Sequence, residues 1–393
     1  MFLRPGRILL SGHSHQAWPD AARAAQGAYF DDAAELVDDK WGARVLPLLE
    51  SVGKRILQRH GFAQDDAIAF GRSSHELGFR LLSCLDLVGF EQRRPPRIVT
   101  TDGEFHSLWR QLGRLAEAGV EVEVVPVEPR ASLVNRLRLA MVDTAMVAIS
   151  AVFFEDSYVV PGLGTLVDDA ARWGALVLVD AYHAFNAVPL NLGPDSPAFV
   201  MAGGYKYAGF GEGLCWLRLP KGCDLRPLYT GWFADFGALS EQRSAAPKIS
   251  YGADGARFAG ATFDGSALYR AAAALDVWDR HGLDLATLRR ISQTQTDRII
   301  RAVQALGLPP DRLAVRSPID PARRGAFVAL RVPGAANVVA ALRARGVFCD
   351  SRGDTLRLGP APYLWPQEID QGVAILGEIL RLGGEWVGNG KEH

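Results

Sequence analysis

Asp180 and Lys206 are the two residues of this 393-residue chain whose settings call for chemistry. Asp180 closes the run ALVLVD, an otherwise apolar stretch, and a lone carboxylate there needs a cationic partner because it has lost its hydration. Lys206 stands between Tyr205 and Tyr207, after a second apolar run and before Gly209, Gly211 and Gly213, where backbone can approach a ligand closely. A lysine that forms a Schiff base with an aldehyde, and a carboxylate that keeps a pyridine nitrogen protonated so the ring accepts electrons, are what pyridoxal 5'-phosphate requires. These residues therefore predict that cofactor. Taken singly, a buried ion pair or a surface lysine explains either one.

Such residues work only if strand ends bring them together. Residues 67–87 read as a short strand, a turn at Gly71 and a helix starting near Ser73 or Ser74. Serine caps that helix, and the free amides behind it can seat a phosphate. A strand at Ile98 to Thr100 leads to a helix from about Ser107, with Phe105 and His106 at the turn, where a flat group could cover a cofactor ring. Further strands fall in VEVEVVPV, AMVAISAVFF and ALVLVD, with a helix near Leu163 to Trp173. Alternation at this spacing over about residues 60–220 predicts an α/β fold with a mainly parallel sheet, whose ligands bind beyond the carboxyl ends of the strands. The glycines after Lys206 lead into the strand GLCWLRL instead of opening a helix, so a dinucleotide fingerprint is rejected.

Beyond Leu219 a long irregular stretch runs from Pro220 to Gly265, followed by helical patterns over Ser266 to Arg280 and from Asp284 to about Ala305. The last hundred residues mix strands and helices, ending in a helix from Pro366 to about Leu382 and a tail expected to fray. This predicts a smaller α+β domain. A helical pattern also spans Trp41 to about His60, and another follows Pro19.

The formal net charge of −1 gives no support to a nucleic-acid partner, and Arg93, Arg94 and Arg97 read as a solvated loop. Cys84, Cys215, Cys223 and Cys349 lack metal-ligand spacing and read as reduced thiols. With no signal peptide and no apolar run of membrane-spanning length, a soluble, cytoplasmic protein is expected, with no membrane partner. His13 and His15 in the loop SGHSHQAWP could meet a metal or a substrate. No third ligand is in view, so no metal is expected and polar loop residues are the plain reading.

Asp180 and His183 as D-x-x-H, A-V-P-L, and then G-Y-K-Y with its glycines resemble the class V aminotransferase superfamily of fold-type I enzymes, and within it the kynureninases. L-S-G-H-S-H-Q-A-W-P is similar to that family's L-D-G-N-S-L-G-L-x-P, Gly231-Trp232-Phe233 recurs there, and R-G-V-F-C-D-S-R with the following arginine is close to its R-G-V-x-x-D-x-R segment. The resemblance implies a fold-type I transferase architecture in which residues 1–45 belong to the small domain, 46–280 form the large cofactor-binding domain and 281–393 the C-terminal small domain. Lys206 would bond to the cofactor, Asp180 would pair with the pyridine nitrogen, His183 would lie near the phenolic oxygen, and Phe105 would stack on the ring. Ser73, Ser74 and Tyr205 would hold the phosphate, and Tyr205 would also relay protons as a catalytic residue beside Lys206 and Asp180. Trp232 and Thr262 would reach a neighbouring subunit's phosphate, implying a homodimer with shared active sites. Arg357 would grip the carboxylate of a small amino-acid substrate, with His13 and Phe263 as further substrate-binding candidates.

The implied reaction is hydrolysis of the Cβ–Cγ bond of a γ-keto amino acid, such as kynurenine, releasing alanine and an aryl acid. Three departures from the family cluster where the aryl group should lie: Phe105-His106-Ser107-Leu108 for F-P-x-D, residues 260–265 as GATFDG, and His-Ser-His-Gln at 13–16 for Asn-Ser-Leu-Gly. Aminotransfer or β-lyase chemistry stays open, as does a non-catalytic cofactor binder. Desulfuration is disfavoured, because Cys349 ends a short strand where packing is its plain role.

Overall fold

The computed structural model describes residues 6–87, 95–240 and 249–382. After strand β1 (Ile8–Leu9) and helix α1 (Asp20–Leu36), the chain forms one turn of π-helix over Trp41–Val45 and then α2 (Leu46–Arg59), where a single helix was expected. Strand and helix then alternate: β2 (Ala67–Gly71), α3 (Ser74–Leu82), β3 (Arg97–Thr101), α4 (His106–Glu117), β4 (Glu121–Val125), α5 (Leu133–Ala140), β5 (Met146–Ser150), α6 (Leu163–Arg172) and β6 (Leu176–Asp180). Strands β7 (Phe199–Gly203) and β8 (Cys215–Leu219) complete a seven-stranded sheet of order β2-β8-β7-β6-β5-β3-β4. β8 runs against both its neighbours, and every other pairing is parallel.

The apolar runs are continuous because the sheet is covered twice. Val177 and Val179 of β6 face a core closed by α2, α5, α6 and α7 (Ser266–Arg280), while Leu178 between them faces α3 and α4. Burying each such side chain contributes roughly 1.5–3 kcal/mol, so strand ends in this sheet are held firmly.

Helix α8 (Leu285–Ala305) leads into β9 (Ala314–Val315), β10 (Val328–Arg331), α9 (Ala335–Ala344), β11 (Val347–Phe348), β12 (Asp350–Arg352), β13 (Thr355–Leu358) and α10 (Pro366–Leu382). β12-β13-β10-β9 make an antiparallel sheet whose core joins Leu330 and Leu356 to Ile299, Leu342 and Leu376. Residues 6–45 divide between the two parts. β1 pairs in parallel with β11, whereas α1 packs on α7, where Tyr29 meets Tyr269 at 5.3 Å and the Tyr269 hydroxyl donates to Asp32 at 2.7 Å.

Arg97, expected in a solvated loop, instead opens β3, with Nε 2.9 Å from Glu121 and Nη1 donating to the carbonyls of Ala140 and Val142. The neighbouring β4 offers two glutamates on its face, and these draw the guanidinium down. Arg93, Arg94 and the tail beyond 382 lie outside the described residues.

Candidate active site

Four strand ends converge on one cavity of about 200 Å3. Asp180 is the last residue of β6, and Lys206 follows β7 by three residues. Ser73 stands between β2 and α3, Ser74 opens α3, and Phe105 follows β3 at the head of α4. All of these line the cavity, together with His183, Tyr205 and the unpredicted Phe154.

Lys206 is 5% exposed and its Nζ lies 2.8 Å from Nε2 of His183. Burial lowers the amine from its ordinary value to about 7, against the opposing pull of Asp180. The group is therefore largely a free amine, hence a nucleophile and base, just above neutrality. Burial also pushes the Asp180 carboxyl up, although the Tyr182 N–H donates to its Oδ1 at 2.8 Å and Lys206 favours its charge. A cation beside it would favour the charged carboxylate.

Ser73 caps α3. Its hydroxyl accepts from the Glu76 N–H at 3.1 Å, and the Glu76 carboxylate reaches back to the Arg72 N–H at 3.1 Å, a reciprocal pairing legible in Ser73-x-x-Glu76. The positive end of the helix thus faces the cavity beside Ser74.

Glu104 was missed by sequence reasoning. It is 3% exposed and accepts from the Thr101 hydroxyl at 2.7 Å, the Ser150 hydroxyl at 2.6 Å and the Ser150 N–H at 3.1 Å. Ser150 is the register partner of Asp180, so a second carboxyl lies behind the first. Burial raises Glu104 to about 7 despite these donors, with Asp180 adding to the rise.

Arg357 and His13 do not line the cavity. They form a buried group beside it around Asp350, which was likewise missed. Arg357 binds Asp350 through Nε at 2.9 Å and Nη2 at 2.5 Å and donates from Nη1 to the Phe154 carbonyl at 2.8 Å. These bonds take three of its five N–H groups and leave two. His13, wholly buried, sits with Nε2 2.8 Å from the same carboxylate, and burial lowers it to about 4. The Phe327 ring stands between His13 at 4.8 Å and His183 at 5.6 Å.

Thr262 and Phe263 lie outside the cavity, on a trough of about 1640 Å3 that adjoins it at Ser73. Phe263 packs on Trp41 at 5.2 Å and Phe233 at 5.8 Å, so within its own chain it is a packing residue, away from Lys206. Trp232 is 44% exposed against Phe233 and Phe236. His15 is exposed and stacks on Tyr205 at 4.7 Å, and His106 is exposed against Phe154 at 5.2 Å. Cys349 is 3% exposed, with burial raising its thiol to about 12.

The residues present fit pyridoxal phosphate. There is an amine that loses its proton near neutrality for the aldehyde, a buried carboxyl for the pyridine nitrogen, and a capped helix N-terminus for the phosphate. His183 Nδ1 is buried without a partner.

The kynureninase C-terminal domain model matches residues 288–376. A kynureninase of Pseudomonas fluorescens is 28% identical over 96% of this chain and 90% of its own, and one of Burkholderia mallei strain SAVP1 is 26% identical over 96% and 89%. Among solved structures, a lysine-to-alanine mutant of C-DES with glycine covalently linked to its PLP cofactor superposes with a TM-score of 0.80 at 17% identity, covering 95% of this chain and 97% of that one. At that identity the superposition shows the fold. Taken with the site, these likenesses make the chain similar in sequence to the kynureninases and give it the fold of the fold-type I pyridoxal-phosphate enzymes, whose cofactor the residues present fit.

Proposed function

We propose that the enzyme hydrolyses the Cβ–Cγ bond of a γ-keto amino acid, kynurenine or a related aryl substrate, to alanine and an aryl acid. The observation that carries this reading is the pairing of a buried Lys206 amine, held near neutrality, with an Arg357 fork fixed by Asp350 in the segment that matches the kynureninase domain.

Bound pyridoxal phosphate would supply an aldehyde for the substrate amine and an electron sink for the bonds at the α-carbon. The chain's own residues do the rest. Lys206, free of its proton near neutrality, takes the α-proton and returns it, and neutral His183 holds the amine in place from 2.8 Å. Asp180 keeps the pyridine nitrogen protonated. Ser73, Ser74 and the α3 N-terminus hold the phosphate, Phe105 covers the ring, and Tyr205 contacts the phosphate and relays protons. The two remaining N–H groups of Arg357 take the substrate carboxylate, with His13 acting behind it through Asp350.

The same reading makes the protein a cytoplasmic homodimer in which Trp232 and Thr262 serve the neighbouring subunit's site. Residues 46–280 are its large domain and 281–393 its small one, with the segment 1–45 contributing β1 to the latter. The chain has no helix, among the described residues, long and apolar enough to cross a membrane.

Borohydride reduction of the cofactor-loaded enzyme, with peptide mapping, should place the cofactor on Lys206. Incubation with kynurenine and 3-hydroxykynurenine should release alanine and the aryl acid in equal amounts. A keto acid in place of alanine would establish aminotransfer instead.

A further inference from the structure

We propose that Tyr182 forms the second aromatic face of the cofactor site, opposite Phe105, so that the pyridine ring is clamped between two rings. The inference rests on the cofactor reading above and names a residue for which the D-x-x-H spacing assigned no role.

Lys206 Nζ marks where the ring must begin, and it lies over three rings: that of its sequence neighbour Tyr205 at 5.9 Å, and two brought in from other strand ends, Phe105 beyond β3 at 5.3 Å and Tyr182 beyond β6, the nearest, at 4.5 Å. Tyr182 is also two residues past Asp180, and its own N–H orients that carboxylate. The ring thus follows directly from the group that would hold the pyridine nitrogen. Both rings line the cavity.

The surroundings fix the tyrosine in this pose. Its hydroxyl lies 3.8 Å from Cys215 Sγ, and its ring packs 5.0 Å from that of Tyr205. At the end of β7 the sheet makes room for it, since a Cβ on Gly203 would collide with both Tyr182 Oη and Cys215 Sγ. Tyr182 is 7% exposed, so the ring has little freedom to swing away. A ring anchored at its far end, with one face toward the reactive amine, is arranged for stacking.

Cofactor titrations of the wild type, Tyr182→Phe and Tyr182→Leu, followed by visible absorbance and induced circular dichroism, test the clamp. Tyr182→Phe should keep the wild-type affinity and dichroism. Tyr182→Leu, which fills the space without a ring, should bind about three- to tenfold more weakly, with a diminished dichroic band. Tyr182→Met takes its place if the leucine variant does not fold. Wild-type affinity and dichroism in the leucine or methionine variant would overturn the clamp and leave Tyr182 a core residue, with the wild type still yellow and trapped at Lys206. A wild type that takes up no pyridoxal phosphate would overturn the cofactor reading and the clamp together.

Discussion

Nζ of Lys206 and Nε2 of His183 lie 2.8 Å apart with both side chains withdrawn from water. Two groups that are cations elsewhere cannot both hold a proton at that separation. Burial and the nearby Lys206 hold His183 well below its ordinary value, and burial lowers Lys206 to about 7. The imidazole therefore stays neutral and the amine carries the only proton in play near neutrality.

Lys206→Met should abolish borohydride trapping and turnover while stabilising the cofactor-free protein. The amine titrates near 7 when folded and near 10.4 unfolded, so the unfolded chain binds more protons between those values. Wild-type stability should then rise with pH across that window, with the burial penalty greatest below pH 7. Denaturant melts should show the variant ahead by up to about 4 kcal/mol at pH 6, the gap closing toward pH 10.

Glu104 gives the opposite slope. Its carboxyl titrates at about 7 folded and near 4.3 unfolded, so the folded chain binds more protons between those values and stability falls as pH rises through them. Glu104→Gln should keep acceptors for Thr101 and the Ser150 N–H while the Ser150 hydroxyl turns to accept. Its unfolding free energy should change less between pH 4.5 and 7.5 than that of the wild type, by about 2–3 kcal/mol. Equal pH slopes would mean that Glu104 titrates alike in the folded and unfolded chain.

Asp180, Lys206 and the Ser73 cap were legible because each is fixed by its own neighbours: an apolar strand, a glycine-rich turn and a capping pattern. Glu104 was not, because in the run DGEFHS it looks like one more polar loop residue. Its burial comes from Ser150, 46 residues away. Asp350 and His13 are 337 residues apart, and the pairing of β1 with β11, continued by the bridge of Ser11 to Gly359, brings them together. Helix α1 showed its periodicity, but which core it joins is decided by Tyr269, 237 residues after its partner Asp32.

Asp350 acts through Arg357. Its carboxyl, which burial alone would raise, is held far below the usual range by His13 and Arg357, so it remains charged at any working pH. Asp350→Asn should keep one acceptor and loosen the fork, raising KM about tenfold with a smaller change in kcat. Arg357→Lys should raise KM further, because a point charge cannot make the paired bonds of a planar guanidinium. Steady-state kinetics that put both losses in kcat would move Arg357 from carboxylate binding to the chemistry.

Shared active sites make a stronger demand than dimerisation alone. Lys206→Ala should be inactive, and a Trp232→Ala, Thr262→Ala double variant should be nearly so, because each lacks a different half of one composite site. Mixed by unfolding and refolding together, they should form heterodimers in which one site carries both lesions and the other carries neither. Random pairing makes about half of the dimers mixed, each with one intact site, so about a quarter of wild-type activity should return. Activity that stays at the level of the separate variants would confine Trp232 and Thr262 to their own chain. There both lie outside the Lys206 cavity.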